Sequence, residues 1–459
     1  MKVLFIGDND LISRRFNGYD YHDVLFAYNI ESSMLVAKKM SNSEFVNQIN
    51  PSIDNFTLSI LKNKLFIEAD VIHLQLIHNT PFDINYLPLI TRLKPTVITL
   101  HDPFFLGGHC IHFFGCTQWK YHCADCQYLD IPFKLQHDDT ALRFLIKKIS
   151  ISNSQISAIV ASNWMYNLVK QSPIWDKHNI QKLSFGINQN VFKPENTQNA
   201  KKRLGIDENS ITLMFRSQDN SFKGMDILKY SLNNIHADKR ITLITVGQTG
   251  LLNRYKEKYI IKEFEWVTDT VFLSHLYQAT DIFLMPSVQE TFGLMAAEAM
   301  CCGKMVLATA NTALEYTVNH PDCGIVVEHN AEVYAKELQR LLNNEEEIKN
   351  RGKKCLEFAK NTYREDLFFS GLLNVYNNVI NSYNLNLPAS EKENSNLVLA
   401  QLKKYSEDEA KFFAEEVVSQ KTTSSKNHKE ILFNFFKNVP LSKKIRKKLQ
   451  KIFSALRNH

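Results

Sequence analysis

Short apolar runs separated by helix-like stretches recur along most of this chain, and this alternation limits the possible fold more than any other feature. Runs that are apolar throughout are typical of parallel strands covered by helices on both faces. A single doubly wound sheet of ordinary width would not use so many of them, so the pattern predicts an α/β fold with two Rossmann-like domains in tandem. The strand candidates are Val3–Ile6, Val71–Leu74, Thr96–Leu100, Ala158–Ala161, Thr212–Phe215, Thr242–Val246, Ile282–Met285 and Met305–Ala308.

Turn-rich and polar stretches divide the 459 residues into four predicted parts. The stretch GINQNVFKPE at 186–195 separates an N-terminal domain, 1–187, from a C-terminal domain, 188–383, whose last helix can cross back to the first. A polar linker and helix over 384–420 and a basic tail over 421–459 follow.

The first strand candidate is followed by Gly7 and then by DNDLISRR, without the glycine pattern of a dinucleotide site. An NAD or FAD site at this position is therefore not expected. No apolar run approaches the roughly 18 residues of a membrane span, and the N-terminus is typical of a buried strand rather than a signal peptide. These features favour a cytoplasmic protein with reduced cysteines.

Positive charge is concentrated at the C-terminus. The tail 421–459 has eleven Lys or Arg and one acid, whereas the whole chain is +6, so residues 1–420 are net negative. Apolar residues at helical spacing run through this tail: Leu441, Ile445, Leu449, Ile452 and Leu456. Such a stripe beside lysines favours an amphipathic helix on an anionic membrane surface. Docking onto the body or onto a partner helix, and a nucleic-acid arm, are the alternatives, but the acidic body argues against nucleic acid.

The most informative segment is DIFLMPSVQETFGLMAAEAMCCGKMVLAT at 281–309, which reads as strand, loop, helix, turn and strand. The N–H groups at the start of this helix, from Phe292 to Leu294, suit a diphosphate because they have no helical partners. Glu290 precedes the helix and Glu298 lies within it, and carboxylates accept hydrogen bonds from sugar hydroxyls. The small apolar neighbours of Glu298 predict that it is buried and needs a partner.

This segment resembles the nucleotide-sugar site of the family 4 retaining GT-B glycosyltransferases (glycosyl transferases group 1). Their pattern is E-x-F-G-x4-E-A-M-x2-G-x-P-V-x-A, and this chain reads ETFGLMAAEAMCCGKMVLA, with Met305 in place of the proline. The resemblance implies a GT-B fold, in which two domains face a cleft. It also implies that Glu290 contacts the donor sugar, that Glu298 binds the ribose, and that the segment Thr291, Phe292, Gly293 and Leu294 binds the diphosphate.

Other segments resemble the same family over residues 1–383. SNWMYNLV from Ser162 is similar to a helix of the first domain, and GINQNVFKP is similar to the interdomain signature. FRSQDNSFKGMDIL carries Arg216 and Lys223, which the resemblance implies hold the diphosphate, Lys223 stabilising the leaving group without a divalent ion. TLHDPF carries His101, and the resemblance implies that this histidine faces the cleft, close to the reacting sugar carbon. His101, Lys223 and Glu290 are thus the candidate catalytic residues.

Four cysteines lie close together in an insertion at 107–127: Cys110, Cys116, Cys123 and Cys126. Four thiolates at such spacing can hold a structural Zn²⁺, and free thiols that pack an insertion loop are the alternative. The insertion, GGHCIHFFGC…W…CADC, resembles one that follows the HD motif in envelope-polysaccharide glycosyltransferases. That resemblance implies a structural role beside the acceptor site. Cys301, Cys302, Cys323 and Cys355 look like small buried residues.

Together, these resemblances imply a retaining enzyme that moves a hexose-type sugar from a UDP- or GDP-sugar to a saccharide. We expect that catalysis requires no cofactor, and that a zinc ion at the four cysteines would be structural. The basic tail favours a lipid-linked acceptor of surface polysaccharide biosynthesis and a peripheral position on the inner face of the cell membrane. A GT-B sugar-nucleotide epimerase and a non-catalytic scaffold subunit of a polysaccharide assembly complex are the alternative functions.

Overall fold

A computed structural model describes residues 1–49 and 56–383 of the chain. The predicted linker and helix at 384–420 and the predicted basic tail at 421–459 lie outside the described residues. Within the described ranges, no helix is both long enough and apolar enough to cross a membrane.

The first sheet has seven strands in the order β3-β2-β1-β4-β5-β6-β7. The pairings from β3 through β5 are all parallel. The strands are β1 (Lys2–Asn9), β2 (Glu31–Lys38), β3 (Val46–Gln48), β4 (Val71–Gln75), β5 (Thr96–Thr99), β6 (Ile156–Val160) and β7 (Ile180–Lys182). The helices along this part of the chain are α1 (Tyr21–Ala27), α2 (Phe56–Leu61), α3 (Lys64–Glu68), α4 (Leu87–Leu93), α5 (Thr140–Ser152) and α6 (Asn163–Gln171).

The second sheet has six parallel strands in the order β10-β9-β8-β11-β12-β13. Its strands are β8 (Ile211–Ser217), β9 (Ile241–Gly247), β10 (Ile260–Phe264), β11 (Ile282–Met285), β12 (Met305–Thr309) and β13 (Ile325–Val327). Its helices are α7 (Thr197–Arg203), α8 (Met225–Asn234), α9 (Thr270–Gln278), α10 (Leu294–Cys301), α11 (Leu314–Thr317), α12 (Ala331–Leu342), α13 (Glu345–Thr362) and α14 (Glu365–Asn381).

The chain forms two compact units. One contains Met1–Ala158 and Lys170–Asn179 and the described residues from Asn378 onward. The other contains Ile159–Val169 and Ile180–Asn377. Two parallel α/β sheets with these strand orders confirm the predicted fold class of two Rossmann-like domains.

All eight strand candidates are strands, and the central ones are buried along their whole length, as β4, β11 and β12 show. The sequence pattern missed β3, β7, β10 and β13, which lie at the edges of the sheets. An edge strand is covered on fewer sides, and β3, β7 and β10 accordingly mix polar and apolar residues. The strand β13 is apolar but only three residues long. The sequence pattern also missed β2, which begins with the polar residues Glu31, Ser32 and Ser33.

Gly7 on β1 lies against the end of β4. A Cβ atom at this position would stand 2.8 Å from the carbonyl oxygen of Gln75. No side chain fits in that space without moving one of the two strands, so the glycine lets β1 and β4 approach closely at the end where β4 leaves the sheet.

Candidate active site

Lys223 and Glu290 form an ion pair in the second unit. Lys223 follows the end of β8 and Glu290 follows the end of β11, the neighbouring strand. Lys223 Nζ donates to Glu290 Oε1 over 2.6 Å, and the two side chains are only 19% and 15% exposed. Because the carboxyl ends of adjacent parallel strands lie at one edge of a sheet, the fold brings together two residues that are far apart in sequence.

Gly224 holds the loop of Lys223 against the loop of Glu290. Its φ is +67°, and a Cβ atom there would stand 1.9 Å from the carbonyl oxygen of Pro286. The N–H of Val288 donates to the carbonyl of Phe222 over 3.0 Å. Both contacts join the same two loops, so a glycine at 224 is needed for the position of Lys223.

Arg216 adds a second cation beside Glu290. It lies on β8, and its guanidinium carbon is 4.8 Å from the centroid of the Trp266 ring. Burial lowers the pKa of Arg216, and the carboxylate of Glu290 opposes that change. The three charged residues predicted for the diphosphate and sugar therefore lie around one point, and the structure adds Trp266, which the sequence patterns did not single out.

The segment from Glu290 to Leu294 is held through its carbonyl groups. The carbonyl oxygens of Glu290, Thr291 and Phe292 accept from the N–H of Ala313 and from the hydroxyls of Ser162 and Thr317, respectively. Helix α10 then begins at Leu294, after Gly293 with φ +89°. A Cβ atom at Gly293 would meet Leu314 at 2.5 Å. The N–H groups that start α10 have no carbonyl partner inside the helix, so this end can bind an anion.

Glu298 is buried within α10, as predicted, with 1% of its surface exposed. Its Oε2 accepts from the hydroxyl of Tyr277 over 2.9 Å. Tyr277 lies on α9 and is itself fully buried. The sequence predicted that this carboxylate needs a partner but did not identify the tyrosine, because Tyr277 lies on another helix in a generic apolar pattern.

In the first unit, His101 follows β5 and belongs to a polar cluster. Asp102 Oδ2 lies 3.1 Å from His78 Nε2, and Asp102 also accepts from the N–H of Phe104 over 2.9 Å. Burial alone would raise the pKa of Asp102, but His78 and these hydrogen bonds outweigh it, so the pKa is lowered. Burial lowers the pKa of His101 well below its usual range, although the Asp102 carboxylate opposes this. His101 is therefore neutral at pH 7.

The four clustered cysteines of the insertion line one cavity of about 330 Å³. They are free thiols, and two sulfurs accept backbone N–H groups: Cys123 from Gly108 over 3.2 Å and Cys126 from Tyr128 over 3.4 Å. Burial raises the pKa of Cys110 to about 12. Across residues 1–49 and 56–383, no three His, Cys, Asp or Glu side chains are already arranged to hold a metal ion. The shared cavity fits the cysteine spacing, and the zinc site stays a prediction.

The remaining cysteines, Cys301, Cys302, Cys323 and Cys355, are buried, as predicted.

Lys147 on α5 forms hydrogen bonds with the start of the insertion. Its buried ammonium donates to the carbonyls of Phe104, Gly107 and Gly108 and lies 3.5 Å from the centroid of the Phe104 ring. Burial lowers the pKa of Lys147 to about 7. The sequence patterns missed this lysine, which sits in an ordinary amphipathic helix.

The chain resembles known proteins both in sequence and in three-dimensional structure. Over 239 residues it is 26% identical to a D-inositol 3-phosphate glycosyltransferase of Corynebacterium aurimucosum, an alignment that covers 48% of this chain and 56% of the relative. The chain spans about half the length of the first curated relatives that it matches.

Among solved structures, the chain resembles a sucrose-phosphate synthase from Thermosynechococcus elongatus, with a TM-score of 0.63, 17% identity, and coverage of 83% of this chain and 100% of that one. It also resembles Alr3699/HepE of Anabaena in complex with UDP, with a TM-score of 0.59, 15% identity, and coverage of 82% and 100%. At these identities the likeness shows the fold alone, which is GT-B. Residues 196–364 match the model of the family described as "Glycosyl transferases group 1". This stretch, which contains Arg216, Lys223, Glu290 and Glu298, is therefore similar in sequence to the group 1 glycosyltransferases.

Proposed function

We propose that the chain is a retaining glycosyltransferase that transfers a hexose-type sugar from a nucleotide-sugar to a saccharide. The observation that carries this proposal is that Arg216, Lys223 and Glu290 lie together beside the start of α10, inside the stretch that matches the group 1 model. Two cations and a helix N-terminus suit a diphosphate. A similar structure has been solved with UDP, which supports a nucleoside diphosphate as the common part of the donor.

In the proposed mechanism, Lys223 and Arg216 neutralise the charge that develops on the diphosphate as it leaves, together with the N–H groups at Gly293 and Leu294. No divalent ion is needed for that role. Glu290 accepts hydrogen bonds from the donor sugar and Glu298 from the ribose, as the resemblance of their motif implies. His101 acts near the reacting carbon as a neutral imidazole, because burial lowers its pKa.

The donor site is tested by binding UDP, GDP, ADP and CMP to the purified protein and measuring the thermal shift. We expect one nucleoside diphosphate to stabilise the wild type but not Glu298→Ala. Glu328→Gln is the matched control, because Glu328 is exposed and belongs to the same domain. If no nucleotide raises the melting temperature of the wild type, the proposal of an enzyme is replaced by that of a non-catalytic scaffold subunit. If a nucleotide binds but the sugar of the nucleotide-sugar is converted without any acceptor saccharide, the proposal becomes a sugar-nucleotide epimerase.

The proposed acceptor is a lipid-linked saccharide of surface polysaccharide biosynthesis, reached by a chain that binds the inner face of the cell membrane. This proposal rests on the apolar stripe and the lysines of 421–459 alone. Deleting 421–459 should abolish binding to vesicles that contain anionic lipid, while nucleotide binding stays intact. Undiminished vesicle binding would refute the proposal. Because the curated relatives are named for D-inositol 3-phosphate, that compound should be tested as an acceptor. If the enzyme uses it, the proposed lipid-linked saccharide acceptor is wrong.

We also propose that Cys110, Cys116, Cys123 and Cys126 hold one structural zinc ion, since they share a cavity. The metal content of freshly purified protein should be one zinc per chain, and Cys126→Ser should lower it. Cys355→Ser, at a buried cysteine outside the insertion, is the control. If the purified protein is folded but contains no metal, the zinc proposal is refuted and the four thiols only pack the insertion.

A further inference from the structure

A line of buried polar side chains leads from the middle of the first sheet to His101. His73 and Gln75 lie two residues apart on β4, so they point to the same face, and each is 1% exposed. Thr99 on β5 stands opposite Gln75 in the strand register. Thr99 Oγ1 lies 2.7 Å from His73 Nε2, and His73 Nε2 lies 3.1 Å from Gln75 Nε2. Gln75 Oε1 lies 2.5 Å from His101 Nε2.

The Gln75 amide sets the direction of these hydrogen bonds. Its Oε1 carries no hydrogen and can only accept, so His101 Nε2 must be the donor. In a neutral imidazole one nitrogen is protonated, so the proton of His101 lies on Nε2 and not on Nδ1. Gln75 Nε2 can only donate, so His73 Nε2 accepts and the proton of His73 lies on Nδ1. In this arrangement the Thr99 hydroxyl also donates to His73 Nε2, so Thr99 and Gln75 share the one lone pair of that nitrogen.

Within the part of the chain that the structure describes, three titratable groups near His101 can be named. Asp102 follows it in the chain, His78 acts on it from the turn Ile77–Asn79 after β4, and His73 lies on the far side of Gln75. The ring of Phe16, from the segment after β1, lies 5.0 Å from the His101 ring and is apolar. A neutral amide at 75 fixes the ring without adding charge, whereas a carboxylate there would favour the imidazolium.

We propose that Gln75 is a positioning residue, which holds His101 in one orientation and in the Nε2-protonated neutral form. This inference rests on the proposed catalytic role of His101. A residue that only filled space at 75 would leave the protonation of His101 unchanged. A residue that sets the tautomer controls whether the imidazole is in the state that the reaction needs.

Three variants test the proposal: Gln75→Leu, Gln75→Glu and His101→Ala. For Gln75→Leu we expect kcat to fall by about 10- to 100-fold with the donor KM unchanged, the size of loss seen when a residue that orients a metal-binding histidine is removed. For Gln75→Glu we expect a new acid limb in the pH profile of kcat. Its carboxylate keeps the hydrogen bond but raises the pKa of His101, so the inactive imidazolium accumulates as the pH falls. The wild type should show no such limb between pH 5.5 and 8.

A second measurement does not depend on activity. Imidazole ¹⁵N spectra of the wild type should show His101 protonated on Nε2. An Nδ1-protonated ring would overturn the proposal, and so would a Gln75→Leu enzyme with normal kcat. Thr99→Val is the matched control for a loss of buried polar contact, because it removes a partner of His73 and leaves the Gln75–His101 bond in place. If His101→Ala keeps its activity, the catalytic role of His101 fails, and the ¹⁵N spectrum still decides what Gln75 does to the ring.

Discussion

Replacing Gly224 with alanine should damage the fold and the donor site together. The added Cβ meets two separate obstacles. Gly224 has φ +67°, a conformation that residues with a side chain rarely adopt. The Cβ atom would also stand 1.9 Å from the carbonyl oxygen of Pro286, in the loop that leads to Glu290. Backbone atoms cannot rotate away as the end of a flexible side chain can, so one of the two loops must shift.

The two obstacles can be separated by a control at Gly205. Its φ is +59°, but a Cβ there would find only Lys262 Nζ, at 3.9 Å. The left-handed conformation costs a non-glycine residue roughly 1–2 kcal/mol, and both variants lose that much. Overpacking a close contact adds about 1–3 kcal/mol, and only Gly224→Ala incurs it. The expected loss of unfolding free energy is therefore about 2–5 kcal/mol for Gly224→Ala and about 1–2 kcal/mol for Gly205→Ala.

Urea denaturation, followed by tryptophan fluorescence, measures both losses. Nucleotide binding is then measured on folded protein, because a shift of the loop moves Lys223 away from Glu290. We expect Gly224→Ala to weaken nucleotide binding and Gly205→Ala to leave it unchanged. Equal losses of stability in the two variants would show that the Pro286 contact does not constrain the loop, and this reasoning would be refuted.

Four further substitutions probe charged side chains that are buried or partly buried, and their partners. Tyr277→Phe removes the hydroxyl that donates to Glu298, so it should cost about 1–3 kcal/mol of unfolding free energy in urea, and a cost near zero would contradict the role of this bond. The pKa of Lys147 falls from 10.5 to about 7 on folding. Between pH 7 and pH 10.5 the unfolded chain therefore binds more protons at this residue than the folded chain does. Because of this difference, Lys147 makes the free energy of unfolding rise with pH over that range. Lys147→Met should lower this slope, by at most about 1.4 kcal/mol per pH unit, in urea titrations at pH 7, 8 and 9, whereas an unchanged slope would refute the assignment. Lys223→Met and Glu290→Gln should each destabilise the protein, and the double variant should lose less than the sum of the two, as a double-mutant cycle would measure.

The sequence predicted most of what depends on local pattern. Central strands such as β11 and β12 are apolar because they are buried on both faces, and Glu298 could be recognised as buried from its small neighbours. Partners that come from other elements could not be predicted. Tyr277 reaches Glu298 from another helix, and no local pattern links them.

The polar line to His101 shows the same limit. His73 and Gln75 stand in the run VIHLQ, which reads as one more apolar strand with two polar residues. Only the register of β4 with β5 shows that Thr99 and His101 complete the line. The motif resemblance identified His101 as a candidate, whereas the side chains that hold it are visible only in three dimensions.

The close approach of Gly7 to Gln75 links a residue of β1 to the protonation of a histidine that follows β5. In a dinucleotide-binding domain, a glycine at the end of the first strand makes room for a phosphate. Here the room is occupied by the neighbouring strand, whose carbonyl lies 2.8 Å from the place of a Cβ atom. Any side chain at position 7 would push the end of β4 outward and carry the Gln75 amide with it. Substitutions at position 7 should therefore disturb the hydrogen bond between Gln75 and His101, although Gly7 takes no part in that bond.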